Sequence, residues 1–501
     1  MKFPILSFLA ILLFANYSPA LGQDSITNLL LKDTVTLKGI IVDFSHGTPL
    51  AYANIAIQNT SKGSISNEKG HFIIDITGLQ SQDSLSFQYI GYKTKTISIA
   101  ELQTTSTVYL KEDIQNLKQV YVFGNPLNAK DIIKKVIENK DKNYIRQPLK
   151  SQVFIRNKDV SDIEHFALDY KKSSFDEIDE KLIASIPNTV PKHSTSYTDY
   201  LGYTYFAKDA NDSNHFKIDP IKTVALKDKD IADLEQIESA FETIFTDTKE
   251  KEYWKAKSGL LGSKLEVNMP DSSTEKKGPV TSRYQSIFSH QLRYSTLKVE
   301  SDWEFLYSPG KYNFTLLGGT QVNGEDVYII EFSPKKSGSF QGRVYISINT
   351  YAMIRADYEY APGKKGTDIH LLGIGYTENY FNGSILFEKK NETYVLKYCA
   401  KKNGTKVSID RKLALLKKRE RFLIDKTLKE TKVGLEITVN TVESFEILVL
   451  NNTEITNQQF NNFNQKEFMN VVFVDQFDEQ LWKGYSIIEP TEQMRAYKKM
   501  E

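Results

Sequence analysis

Seven histidines (His46, His71, His165, His193, His215, His290 and His370) and a single cysteine, Cys399, are the residues of this 501-residue chain best suited to chemistry near neutral pH. A zinc peptidase needs three protein ligands and an open fourth position for water, which in sequence means a His and a Glu three apart plus a distant His. None of the seven is followed by a Glu at the third position, and no His-Glu-x-x-His occurs. His165 with Asp169 is the best local pair, but one imidazole and one carboxylate make a surface hydrogen bond more often than a metal site. Gly338-Ser339-Phe340-Gln341-Gly342 has the wrong spacing for a nucleophile elbow. Around Cys399, alternation puts Tyr394, Leu396 and Tyr398 on one strand face and Val395, Lys397 and Cys399 on the other. A nearby lysine can lower a thiol pKa, yet a lone strand cysteine reads as a small packing residue. Gly318-Gly319 and Gly363 to Gly366 lie between strands with no helix to follow, so they read as turns and not as phosphate loops. The expectation is therefore no catalytic, cofactor-binding or metal-ligating residues, and no enzyme.

The elements that would have to position any site are sheet-forming: 12% of the chain is aromatic, with 28 Tyr and 28 Phe. A formal net charge of +1 gives no overall field for nucleic acid. The strongest local charge feature is the basic run Lys401 to Arg421, read as a solvated sheet face, with anionic lipid headgroups as the sharper alternative. Met1-Lys2, the apolar run Phe3 to Phe14 and then Ala20-Leu21-Gly22 form a secretory leader, with cleavage expected after Gly22. No later segment offers the ~20 apolar residues that a bilayer-spanning helix requires. With one cysteine, an internal disulfide framework is excluded, and no Cys follows the leader to carry a lipid.

From Gly39 to Ile76 the chain alternates apolar and polar residues between turns. Ala53, Ile55 and Ile57 share one face, Phe72, Ile74 and Ile76 repeat the pattern after Asn67-Glu68-Lys69-Gly70, and Leu85, Phe87 and Tyr89 repeat it again. Short strands at this spacing, ending near Leu110, predict a small antiparallel sandwich of the immunoglobulin or transthyretin kind. Gly39, Val42-Asp43, Pro49-Leu50, Ala53-Asn54-Ile55, Gly63, Asn67, Gly70, Phe72 and Tyr89-Ile90-Gly91-Tyr92 follow one another in an order that resembles the carboxypeptidase-like regulatory domain, over Leu37 to about Lys111. That domain occurs at the N-terminus of many Bacteroidota surface proteins, TonB-dependent receptors among them. The resemblance implies a structural or docking module without peptidase chemistry.

Val120 to Gly124 reads as the exit from this unit, and Asn128 as the N-cap of a helix with Ala129, Ile132, Ile133, Val136 and Ile137 in one stripe. A polar tract from Pro187 to Asp199 reads as a loop, Asp230 to Lys251 as a second amphipathic helix, and Pro270 to Val280 as an exposed loop. From Lys311 the pattern is an antiparallel meander with hairpins expected at Asn323-Gly324, Asn382-Gly383 and Asn403-Gly404. Tyr312, Phe314, Leu316, Tyr328, Ile330, Phe332, Val344, Ile346, Ile348, Ile354, Ala356 and Tyr358 fall on one face, while Gln341, Arg343, Ser347, Arg355, Asp357 and Glu359 point the other way. Leu127 to Tyr144, Tyr312 to Tyr358 and Trp482 to Tyr497 resemble segments of one Bacteroidota envelope family, the last its flavobacterial branch. The central segment also resembles, more distantly, the half-barrel of periplasmic lipoprotein carriers.

The fold class expected is mainly β: a leader over residues 1–22, a sandwich over 34–124, a helix-containing connecting region over 125–255 and an antiparallel meander, able to curve as a half-barrel, over 256–501. The function expected is that of a non-enzymatic protein of the periplasm or outer membrane, docking an envelope partner through the sandwich. A half-barrel carrier of lipid or lipoprotein is the alternative, with an acyl chain on the apolar sheet face, and a hydrolase with dispersed residues the second alternative. A receptor barrel is set aside because too few residues follow the first unit for a plug and 22 strands.

Overall fold

A computed structural model describes residues 35–60, 63–113, 128–144, 147–208, 214–227, 251–258, 261–265, 280–322, 325–422, 424–483, 485 and 487–497. The expected leader, the exit strand at Val120 to Gly124, residues 230–250 of the second expected helix, most of the expected loop from Pro270 and the Asn323-Gly324 hairpin lie outside them.

Seven short strands build the N-terminal unit: β1 Thr36–Asp43, β2 Asn54–Ile57, β3 Gly63–Ile65, β4 His71–Asp75, β5 Ser84–Gln88, β6 Lys95–Ser98 and β7 Thr107–Leu110. They form a three-stranded sheet, β4-β1-β7, and a four-stranded sheet, β3-β2-β5-β6. Between the sheets the alternating residues Ile41, Ile55, Phe72, Leu85, Phe87 and Val108 are buried as one core. The sandwich is not wholly antiparallel, because β1 and β7 run parallel, Ile41 opposite Val108. In the turn before β4 the Asn67 side chain accepts from the backbone N–H groups of Lys69 and His71, and Gly70 takes φ +76°, where a Cβ would also meet the Ile41 carbonyl at 2.7 Å.

The remaining strands form one 14-stranded sheet. They are β8 Leu149–Ser173, β9 His193–Lys208, β10 Asn214–Lys227, β11 Glu252–Ser258, β12 Leu261–Leu265, β13 Tyr312–Val322, β14 Glu325–Pro334, β15 Phe340–Ser347, β16 Met353–Tyr360, β17 Asp368–Leu371, β18 Ile374–Lys390, β19 Thr393–Arg419, β20 Lys426–Glu454 and β21 Val472–Val474. The path runs β13-β14-β15-β16-β18-β19-β20-β8-β9-β10-β21. Three strands of the segment read from sequence as connecting, β8 to β10, thus continue the meander through β20.

Two expected hairpins are corrected. Asn382-Gly383 lies inside β18 and Asn403-Gly404 inside β19, two strands that pair with each other across Asn382 and Lys402. Gly383 answers a close approach and not a turn, since a Cβ there would sit 2.7 Å from the Tyr294 hydroxyl. The chain reverses between β18 and β19 at Asn391, φ +55°. The polar tract from Pro187 is likewise not a loop: it ends a helix at Thr189 and enters β9 at His193.

Successive strands align their apolar residues in a row, Leu316-Ile330-Val344-Ala356-Ile385-Cys399-Ile447-Ile155-Tyr200, each opposite the next. Helix α1 (Ala129–Asn143), capped as expected by the Asn128 side chain, covers this face with Ile132, Ile133 and Val136. A second helix, α2 (Glu180–Thr189), lies over the far ends of β8 and β19, where Phe175 stacks on Trp254 at 5.6 Å. Helix α3 (Thr281–Leu292) adds Phe288 to the central cluster, and the following segment adds Trp303 and Phe305. The apolar face offered as an acyl groove is therefore core at these positions: Ile346 has no exposed surface. No described helix is long and apolar enough to cross a membrane, a statement that does not bear on strands. Replacing Ile346 with Trp should overpack this layer and lower unfolding free energy by about 1–3 kcal/mol in urea titration.

Candidate functional site

On the opposite face the neighbouring register carries charge. Thr315, Glu331, Arg343, Asp357, Ser384, Ala400, Glu446, Arg156 and Asp199 stand opposite one another in turn across β13, β14, β15, β16, β18, β19, β20, β8 and β9. All but Asp199 line a cleft of about 960 Å³ between this face and the sandwich. The sandwich contributes Tyr52, Glu68, Lys69 and Tyr89, and the C-terminal segment contributes Thr491 and Gln493.

Two guanidinium groups anchor the floor. Arg156 is 4% exposed and grips the fully buried Asp199 through Nε and Nη2 at 2.8 and 2.7 Å, while Nη1 donates to the Ile488 carbonyl at 3.0 Å. Arg355 is 3% exposed and donates to Asp357 through Nε at 2.6 Å and Nη2 at 3.1 Å. Burial works against the charge of both, and the adjacent aspartate more than offsets it, holding each pKa above the ordinary arginine value. Arg355 also ties the two units together: Nη2 donates to the Tyr89 hydroxyl at 3.3 Å, its guanidinium carbon lies 4.5 Å from that ring's centroid, and Nη1 reaches the Tyr52 carbonyl at 3.5 Å. The Tyr52 ring packs on Tyr398 at 4.9 Å, Asn67 Nδ2 donates to the Glu489 carbonyl at 3.2 Å, and Lys38 pairs with Glu479 at 2.9 Å. Trp482, Ile487, Ile488 and Met494 fill the space between, against Phe154, Leu201 and Leu448.

Glu446 differs from the other carboxylates in the row. It sits deep in the molecule yet opens onto the cleft, accepts from the Tyr398 hydroxyl at 2.9 Å, and makes no ion pair among the described residues. Burial raises its pKa, and Arg156 and the Tyr398 hydrogen bond oppose the shift only in part. A raised carboxyl in a cleft is a general-acid candidate, but glycoside chemistry needs a second carboxylate within roughly 5–9.5 Å. Asp357 lies three strands away, about 14 Å at the usual strand spacing. Asp199 is closer but has no exposed surface and is committed to Arg156.

The residues singled out from sequence lie elsewhere. His165 does not meet Asp169: it stands 3.6 Å from Glu436, and Asp169 pairs with Lys171. His46, His193 and His370 sit beside Asp43, Asp162 and Asp368 at 3.0, 2.6 and 3.2 Å, each imidazole at least half exposed. Among the described residues no group of three His, Cys, Asp or Glu could hold a metal. Cys399 belongs to the apolar row, and burial pushes its thiol up to about 12, far from a thiolate. Sequence reading missed the cleft. The available signal was the alternation of both charge signs in Gln341, Arg343, Arg355, Asp357 and Glu359, which reads as a solvent face until a second unit is placed over it.

Residues 37–122 match the CarboxypepD_reg-like domain, so the chain carries a domain of that family. No curated protein matches the chain. Among solved structures, an outer membrane lipoprotein-sorting protein domain from Vibrio parahaemolyticus is 9% identical, the match covering 67% of this chain and 97% of that one, with a TM-score of 0.20. The MucA/MucB complex of Pseudomonas aeruginosa gives 8% identity, 62% and 94% coverage and 0.17. A DUF1329 family protein from Desulfovibrio piger gives 12%, 61% and 90%, and 0.18. At these TM-scores the likeness bears on neither fold nor ligand.

The shift at Glu446 has a sign. Because the folded pKa lies above the unfolded value of about 4.3, the unfolded chain ionises first as pH rises. Stability from this group is present below that value and is lost as pH climbs through the folded pKa. In Glu446→Gln that part of the decline should vanish, leaving the variant at least as stable as the parent at pH 8 in thermal unfolding. A less stable variant at pH 8 would show that Arg156 holds the ionised carboxylate.

Proposed function

We propose that this protein is a non-enzymatic binding protein of the cell envelope, and that its ligand, a polar peptide segment of an envelope partner, lies in the cleft between the sandwich and the sheet. The observation that carries the reading is the charged row on the cleft floor, with Tyr52, Tyr89, Tyr197, Tyr345 and Tyr380 around it. A peptide brings amide donors and acceptors and both charge signs, and can return the hydrogen bonds that these groups give up with water. An acyl chain would dehydrate them without replacement, at roughly 1–3 kcal/mol for each polar group left unpaired. Tyrosine suits such a surface because it offers area at low entropic cost with a polar tip. The carboxypeptidase-regulatory-like domain supports a docking role by forming one wall, and the apolar run at Phe3 to Phe14 supports export. The carrier alternative loses its expected seat at Ile346, and along its own row Glu446 has no uncommitted carboxylate at the spacing that glycoside hydrolysis needs.

A photoreactive residue at position 380, where Tyr380 is 42% exposed at the cleft mouth, should crosslink to a discrete polypeptide in intact envelopes. The same probe at position 109, where Tyr109 is 47% exposed on the sandwich away from the cleft, should not. Arg343→Glu should abolish the crosslink while shifting stability by less than about 1 kcal/mol, since its pair with Glu331 is partly solvated. Stoichiometric lipid in gently extracted protein, with no crosslink from position 380, would overturn the peptide reading.

A further inference from the structure

The two longest strands run far past the cleft. β19 has 27 residues and β20 has 29, and they meet at a turn beyond Arg419. At about 3.3 Å per residue such a ribbon spans tens of ångströms, so its end stands clear of the central layers. The turn itself is held. Asp425 accepts from the Arg421 backbone N–H at 3.2 Å and from the Tyr253 hydroxyl at 2.5 Å. Beside it, Glu252 is 2% exposed at its side chain and is taken up by Lys417 and Arg419 at 3.3 and 2.6 Å.

What this turn presents is apolar. Phe422 is 101% exposed and Ile424 82%, the two highest values among the described large hydrophobic side chains. Single exposed apolar residues are ordinary on protein surfaces, but two on a tethered tip, with no described side chain folded over them, form a projecting apolar point. The charge around it is equally one-sided. From Lys417 to Lys432 there are seven lysines and arginines against three carboxylates, in a chain whose net charge is only +1. Arg421 and Lys426, on either side of the tip, are exposed.

We propose that the β19–β20 tip is a lipid-surface anchor, in which Phe422 and Ile424 enter the headgroup region of an anionic bilayer while Lys418, Arg421 and Lys426 face its phosphates. The occupant follows from the pairing of features. A convex apolar point has no concavity to receive a protein side chain, whereas a bilayer accepts one from above. The surrounding positive charge matches an anionic leaflet, where each lysine or arginine strengthens attachment roughly fivefold. An aromatic with an aliphatic neighbour at the interface supplies the apolar part. Attachment through the tip leaves the cleft, on the body of the sheet, open to its ligand.

The purified full chain is tested by co-sedimentation with vesicles of phosphatidylethanolamine and phosphatidylglycerol, and with phosphatidylcholine vesicles as the uncharged control. Binding should favour the anionic vesicles and fall with salt. Phe422→Asp combined with Ile424→Asp should weaken it by at least about tenfold with an unchanged melting temperature, because neither side chain supports the fold. Arg421→Glu with Lys426→Glu should do the same and remove the salt dependence. Equal partitioning of parent and tip variants would overturn the proposal, as would a parent that binds neither vesicle. A tip variant that converts a dimer to a monomer, with no vesicle binding by the parent, would assign the tip to self-association instead.

Discussion

A guanidinium taken out of water must find its partners inside the protein, and the placement of Arg355 makes that requirement structural. One carboxylate, Asp357, comes from its own strand, but the remaining contacts come from the sandwich, through the Tyr89 hydroxyl and ring and the Tyr52 carbonyl. Removing one side of such a pair leaves an uncompensated buried charge, at a cost of about 3–5 kcal/mol. The sandwich is thereby drawn onto this part of the sheet, and the cleft is the space left where the two surfaces do not meet. Arg156 acts in the same way towards the C-terminal segment by donating to the Ile488 carbonyl.

The period of a β-strand divides the sheet's two tasks. Because successive side chains alternate, one register gives the apolar row through Val344, Ala356, Cys399 and Ile447, and the next gives the charged row through Arg343, Asp357, Glu446 and Arg156. The apolar row is closed by α1 and the segment around Trp303 and Phe305. The charged row is closed only in part, by the sandwich and the residues from Trp482 to Tyr497, and the part left open is where a ligand can reach Glu446. Continuity from β16 through β18, β19, β20 and β8 to β9 is what lets residues as far apart in sequence as Asp199 and Asp357 share one floor.

Much of this was legible in local pattern. The sandwich strands, the helix capped by Asn128 and the alternation from Tyr312 to Tyr358 follow from spacings of two and of three to four, which a sequence displays directly. The Asn-Gly pairs at Asn382 and Asn403 misled because the dipeptide encodes a permissive backbone, and that freedom serves close packing beside Tyr294 as readily as it serves a turn. The pairing of β20 with β8 joins Ile447 to Ile155 across most of the chain, and no local signal marks it. The cleft was hidden for the same reason: its polar residues look like an ordinary solvated face until the positions of Tyr52, Tyr89 and Gln493 are known.

The claim on which the rest depends is that Arg355 couples the sandwich to the sheet. A double-mutant cycle with Arg355→Met and Tyr89→Leu, read by urea unfolding of the full chain, measures that coupling directly. The account predicts that the two single losses exceed what the double variant shows, with an interaction energy of about 0.5–3 kcal/mol. Additive effects would mean that Arg355 does not couple the two units through Tyr89, and that the sandwich is held over the sheet by its other contacts alone.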